Sequence, residues 1–286
     1  MPLFGLEDRQ WIVIATIVYA AAFVLGTYSA LKLRRKTGRP YMISFVSFGW
    51  ILQTIGLYAR GLQYGGCPLA NTFELAQFLV WSSTAIYIFV GPAFRVSLLG
   101  VFTSAFSAIV STFSLFAANW DSPDRTPIFG DTPWIETHAA LALFSYGVFG
   151  VLTLTSFMYL LQSRSLKMKT VGGFFPYLPS IVELSHINTR LLVIGFIILS
   201  ASLGIGSVYW AKDIEAVLNG KLFATIAVWT LYGILLLLRF RQIVAAKRFA
   251  QFAITIFVLA LLSLGFVSDD KPTQETPAPS LDNERK

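Results

Sequence analysis

The sequence predicts an all-α protein: a polytopic membrane helix bundle of about eight transmembrane helices, with N-terminus and C-terminus outside the cytoplasm. Three observations carry this. Of 286 residues, 55% are hydrophobic and 13% charged, against about 25% charged in an ordinary soluble domain, and the mean hydropathy is +0.66. The charges are clustered, leaving long apolar runs that approach the roughly 20 residues needed to cross a hydrocarbon core. Basic residues, finally, alternate between one set of connecting loops and the other. Lipid offers no water to backbone groups, so such runs are helices.

The first run, Trp11 to Leu31, follows Glu7 and Asp8 and precedes Lys32, Arg34, Arg35, Lys36 and Arg39. This polarity is the reverse of a cleavable signal peptide. The second, Tyr41 to Tyr58, stops short of Arg60. The third, Leu75 to Val90, opens in the stretch CPLANTFELAQFLVW, where Asn71 or Thr72 can cap the helix and Glu74 sits in its first turn, favourably placed for the helix dipole. The fourth to sixth run from Val96 to Phe116, Thr137 to Leu161 and Leu191 to Trp210. The seventh and eighth are Leu222 to Leu238 and Phe249 to Phe266. The third and seventh are short for a span. No internal repeat of the inverted-transporter kind is present. Residues 1–267 form one transmembrane domain, and the tail 268–286, with three prolines and mixed charge, is expected to be disordered and extracytoplasmic.

Sidedness follows from the rule that Lys and Arg in short loops stay on the cytoplasmic side. One set of loops holds the five basic residues after the first run, then Arg95, then Arg164, Lys167 and Lys169, then Arg239, Arg241, Lys247 and Arg248. The other set holds Arg9, Arg60, Arg125, Lys212 and Lys221 among acids that include Glu7, Asp8, Glu74, Asp121 and Asp213. The alternation holds through all seven connections.

The net charge of +7 is explained by this topology, not by a nucleic-acid partner. The single cysteine, Cys67, excludes an internal disulfide, a CxxC pair and a multi-cysteine metal site. No Asp, Glu, Lys or Arg lies deep within a span, and Arg60, Glu74, Arg95 and Arg190 fall at helix ends. Ion-coupled transporters place ionisable groups at membrane depth, so that class is disfavoured.

Both histidines sit at membrane interfaces, His138 at the outer end of the fifth span and His186 before the sixth on the opposite side. A neutral imidazole can ligate haem iron, although a lone interfacial histidine is more often a polar helix-end residue. His138, Ala142, Ser145 and Phe149 share one helical face, a small and polar strip suited to the bundle interior. Trp120, Trp134, Tyr209 and Trp210 lie on the same outer side, where they can wall a planar macrocycle or form an ordinary aromatic belt. In the sixth span, Ser200 with Gly204 and Ser202 with Gly206 form small-xxx-small pairs that suit close helix packing.

Three stretches resemble the cytochrome c assembly protein family of CcsA-type and CcmC-type haem handlers. Residues 67–81, CPLANTFELAQFLVW, resemble that family's outer loop with Asn71 and Glu74. Residues 138–152, HAALALFSYGVFGVL, resemble its histidine-led helix with the Ser145–Tyr146 pair. Residues 187–211, INTRLLVIGFIILSASLGIGSVYWA, resemble its helix with Arg190 near the start and Gly195 within. The resemblance is strongest over 67–241. It implies that His138 corresponds to an outer-face axial ligand of haem, with Trp134 and Trp210 beside the macrocycle.

The departures are as informative. After Trp210 the chain reads AKDIEAVLNGK where the family's haem-handling members carry a tryptophan-rich loop, and LYGILLLLRFR over 231–241 lacks the second outer histidine. His186 stands on the wrong side to replace it, about 30 Å away across the hydrocarbon core. The pattern resembles the divergent HemX-like branch. The resemblance implies a bacterial plasma (inner) membrane protein that binds haem weakly or transiently during cytochrome c maturation. It further implies an accessory and not the haem lyase itself, with no covalent catalysis required, and as partners the lipid bilayer and other maturation proteins or a haem-biosynthesis enzyme. The alternative is a regulatory or scaffolding membrane protein that acts on haem biosynthesis through the cytoplasmic loop Gln162–Ile187 without binding haem.

Overall fold

A computed structural model of the chain describes residues 5–33, 39–94, 98–121, 133–169, 178–210 and 220–268. These residues form eight long helices: α1 Asp8–Tyr28, α2 Arg39–Tyr64, α3 Thr72–Phe94, α4 Leu99–Phe116, α5 Pro133–Met168, α6 Ile181–Trp210, α7 Gly220–Phe240 and α8 Ala246–Ser268. There is no strand among the described residues. All eight helices are long and apolar enough to cross a membrane. The tail 269–286 lies outside the described residues, as does Arg125.

Most helices outrun the apolar stretch that announced them, but α4, read as Val96 to Phe116, begins at Leu99, and α1 gives way after Tyr28 to a π-helical turn over Ser29–Leu33. The third span, read as Leu75 to Val90, extends over Thr72–Phe94, and the seventh over Gly220–Phe240. The loop Gln162–Ile187 shortens most, because α5 continues to Met168 and α6 begins at Ile181. A hydropathy reading stops at the first charge, whereas the helical backbone continues past the hydrocarbon into water, where charged side chains are solvated. His186 therefore stands within α6, exposed.

Local chemistry sets several helix starts. At α1 the Glu7 amide donates to Gln10 Oε1 at 2.9 Å, half of a capping box. At α3 the cap is Asn71, whose Oδ1 accepts the Glu74 amide at 2.9 Å. Pro133 opens α5, where a missing N–H costs nothing. Ser180 Oγ accepts the Glu183 amide at 3.2 Å before α6.

The helices pack as two halves. In one, α1 lies against α2 and α4, and α3 lies against α4; in the other, α5 lies against α6 and α8, and α7 against α6 and α8. The halves meet at α3 and α5, where Gly147 and Gly150 receive Ser82 and Ser83. A Cβ added at Gly147 would come within 2.5 Å of Ser82 Cβ, so this crossing depends on glycine.

Hydrogen bonds between helices tie the first half together. Tyr19 donates to Gln53 Oε1 at 2.9 Å, Gln53 Nε2 donates to Gln77 Oε1 at 2.8 Å, and Gln77 Nε2 donates to Ser111 and Ser114 at 2.9 and 2.8 Å. Ser111 also meets Thr16 at 2.6 Å, so one chain of bonds crosses α1, α2, α3 and α4. In the second half the fully buried Phe149 ring stacks on Tyr232, with centroids 3.8 Å apart, and lies against Gly195. At the opposite end Arg239 donates to Ser185 at 2.5 Å and Thr189 at 3.1 Å and lies over the Phe249 ring, linking α6, α7 and α8.

Candidate functional site

Two side-chain constellations occupy the end of the bundle that holds the start of α1. The first is ionic. Arg60, in the last turns of α2, is 3% exposed and donates through Nε to Glu74 Oε1 at 2.6 Å and through Nη1 to Asp8 at 2.8 Å. Its Nη2 pairs with Asp121, which also receives Arg9 at 3.1 Å. Glu74 is fully buried and accepts the Ala70 amide at 2.7 Å on its second oxygen. Asn71 reaches Asp121 at 3.3 Å. Arg60 also stacks over Phe73, 4.9 Å from the ring centre.

Three carboxylates and two guanidiniums thus clamp α1, α2, α3 and the segment after α4. The sequence places Arg60 and Glu74 at helix ends and gives Glu74 a first-turn position and a place in the family-motif loop, without showing that the two pair. The bundle folds both inward, where each charge is compensated by several partners. Buried ions require such compensation.

The second constellation surrounds His138 on α5. Its Nδ1 lies 2.7 Å from the Ser202 carbonyl on α6, and Ser202 Oγ donates to the His138 carbonyl at 2.8 Å. A carbonyl only accepts, so Nδ1 carries a proton, which in a neutral ring puts the lone pair at Nε2. That is the tautomer of a histidine that ligates a metal through Nε2, with a backbone carbonyl orienting its ring. His138 therefore faces α6 and not lipid. Two and three turns further along α5, Ser145 and Phe149 are fully buried, as the shared helical face predicts.

The other candidate residues separate into groups. Trp134 lies one turn before His138 and is 69% exposed. The side chain of Trp210 lies outside the described residues, as does that of Tyr209. Trp120 packs edge-on to Phe113 of α4, in the other half of the bundle. Ser145 donates back to the Ala142 carbonyl at 2.6 Å, and Tyr146 is hydrogen-bonded to Ser263 of α8. Arg190 is exposed near the opposite end of α6. Gly195 makes room for Phe149: an added Cβ would stand 2.5 Å from its ring. Of the residues chosen from sequence, Asn71 and Glu74 are brought together, while Ser145, Tyr146 and Gly195 are packing residues of the second half.

The small-residue pairs of the sixth span need one amendment. Ser202 is the partner of His138, and Ser200 accepts the Trp229 indole at 2.8 Å. Gly204 has nothing within 4 Å of an added Cβ and so marks no helix contact.

Cys67 lies between the constellations, beside Glu136 and Glu74. Burial, reinforced by the two carboxylates, pushes its thiol up to about 11. Among the described residues no group of three or more His, Cys, Asp or Glu side chains converges on a metal position. The donor set fits one axial position of a haem iron, through His138.

Comparison with known proteins agrees with this architecture. The chain is 27% identical over 273 residues to Protein HemX of Brevibacillus brevis, covering 92% of this chain and 97% of that protein. It is 24% identical over 256 residues to Protein HemX of Bacillus subtilis (strain 168), covering 86% and 90%. It is 25% identical over 119 residues to the cytochrome c biogenesis protein CcsA of Microcystis aeruginosa, covering 41% and 36%. The family described as cytochrome C assembly protein matches residues 69–268, well over half of the chain, including His138 and Ser202 and, of the ionic constellation, Glu74 and Asp121. The chain therefore belongs to the cytochrome c assembly protein family, on a branch that resembles HemX.

Proposed function

We propose that this protein binds haem transiently at the extracytoplasmic end of its bundle and assists its handling during cytochrome c maturation, without being the haem lyase. The observation that carries the reading is the His138 ring, held by the Ser202 carbonyl with its lone pair at Nε2. His138 would hold haem through its imidazole, and the bound haem would supply an iron that a neutral imidazole can ligate. The Ser202 carbonyl fixes the tautomer and the ring plane of His138, and Trp134 offers a flat exposed surface one turn away. Trp210, at the end of α6, is the candidate for a second wall.

A single protein-supplied imidazole suits a carrier, because a ligand from the recipient can complete the iron and later leave. Membership of the cytochrome c assembly family and the likeness to CcsA, whose name assigns it to cytochrome c biogenesis, support this direction. The alternation of basic loops supports placing His138 outside, and the likeness to HemX proteins of two bacteria supports a bacterial plasma (inner) membrane.

The near full-length likeness to two HemX proteins favours keeping a second reading, a regulatory or scaffolding membrane protein acting on haem biosynthesis without binding haem. The two are separated by complementation of a deletion strain, reading mature cytochrome c by haem staining. The haem reading expects wild type to restore staining and His138→Ala to fail at equal membrane abundance. Full restoration by His138→Ala, with a soluble partner still captured, would transfer the assignment to the scaffold.

A further inference from the structure

A groove of about 520 Å³ runs along the bundle between the last turns of α2 and the first turns of α3, and His138 is not among its lining residues. One wall is Tyr58 and Leu62, each 60% exposed, and the floor is Phe78 and Trp81. The end of the groove is formed by Gly65, Gly66 and Pro68 in the connection to α3. It exists partly because side chains are missing there: a Cβ added at Gly65 would meet nothing within 4 Å, and at Gly66 only Glu136 Oε1 at 3.9 Å.

The indoles, the threonine hydroxyl and the Gly66 amide around it are bonded within the protein. Trp81 Nε1 donates to Thr54 Oγ1 at 2.8 Å, Thr54 donates to the Trp50 carbonyl at 2.7 Å, and Trp50 Nε1 donates to the Trp81 carbonyl at 3.2 Å. The Gly66 amide donates to the Gly61 carbonyl at 3.2 Å. What remains is an almost wholly apolar lining, without a histidine, cysteine or charged side chain among its residues. That excludes recognition of a headgroup or of carboxylates within the groove.

Size decides between the apolar occupants. Three turns of a partner helix, about 10 Å across and about 16 Å long, fill roughly 1,200 Å³, more than twice the volume present. A single hydrocarbon chain fits. We propose that this groove holds one acyl chain of a phospholipid from the adjacent leaflet as a resident lipid, seated on Phe78 and Trp81 and gripped by Tyr58 and Leu62.

The test is native mass spectrometry of the full-length protein, delipidated in detergent and then titrated with dioleoyl phosphatidylethanolamine or dioleoyl phosphatidylglycerol. The expected result is one tightly bound phospholipid per chain with either headgroup, and no such species with dioctanoyl lipids. Leu62→Trp and Gly66→Leu, which fill the groove from its wall and its end, should each weaken binding about tenfold, the loss of roughly two buried methylene groups. Leu262→Trp, on the exposed face of α8, should leave it unchanged. The proposal is overturned by absence of a tightly held lipid, by equal retention in both groove variants, by preference for one headgroup irrespective of chain length, or by recovery of a quinone or porphyrin as the resident molecule.

Discussion

Arg60 and Glu74 meet at 2.6 Å with neither exposed by more than 3%, so the last turns of α2 and the first turn of α3 are locked by an ion pair that water scarcely reaches. Removing Arg60 leaves Glu74 buried without that counter-charge, a loss of about 3–5 kcal/mol in comparable pairs. Arg60→Ala should therefore lower the thermal midpoint of the detergent-solubilised protein sharply, the more so because Asp8 loses the same partner, while Asp121 keeps Arg9 and Asn71. Glu74→Ala should lower it less, because Arg60 retains Asp8 and Asp121. Removing both partners should cost less than the sum of the two, and strict additivity would show that the pair is not coupled.

Gly195 and Gly204, nine residues apart on α6, should respond in opposite directions. At Gly195 a side chain collides with the Phe149 ring, which is itself stacked on Tyr232. Gly195→Leu should destabilise by about 1–3 kcal/mol, the usual cost of overpacking. Gly204→Ala meets nothing and should be neutral or stabilising by up to about 1 kcal/mol through helix propensity. Equal effects at the two positions would contradict the packing described.

Gln77 is the junction of the polar chain in the first half. Gln77→Leu keeps the volume but removes partners from Gln53, Ser111 and Ser114 together. An unsatisfied buried group costs about 1–3 kcal/mol, while single hydrogen bonds between membrane helices average about 0.6 kcal/mol. The variant should thus lose more than Ser114→Ala, measured by the same thermal scan.

Cys67 is the sole cysteine, so thiol labelling reports on it alone. With its thiol pushed up to about 11 by burial and by Glu136 and Glu74, it stays protonated at neutral pH and reacts slowly. The thiolate is the nucleophile. Maleimide labelling should accelerate as pH rises towards 11, and Glu136→Gln, by removing a negative neighbour, should shift that profile to lower pH. A profile indistinguishable from free cysteine would refute the assignment.

The sequence announced the architecture better than its connections. Eight apolar runs are visible because lipid demands them, and each corresponds to one helix of the structure, six of them lying wholly within it. The inward face of His138 was also legible, since helical spacing aligns it with Ser145 and Phe149. What escaped is long-range pairing. Arg60 lies 52 residues from Asp8 and 61 from Asp121, and hydropathy registers a charge without its partner. Gln53 and Gln77 were passed over as weakly polar members of apolar runs, although their interhelical bond is a main tie between α2 and α3. The groove at Phe78 and Trp81 was invisible because glycines and a turn create it.

The central claim is that His138 provides the haem ligand. It is tested most directly by the absorption spectrum of the purified full-length protein supplied with haem, comparing wild type, His138→Ala and Ser202→Ala. The account predicts a Soret band and a fixed haem-to-protein ratio in wild type. Both should be lost in His138→Ala and largely kept in Ser202→Ala, because that variant retains the carbonyl that accepts from Nδ1. A wild-type protein that takes up no haem, or a His138→Ala protein with an unchanged band, would contradict it.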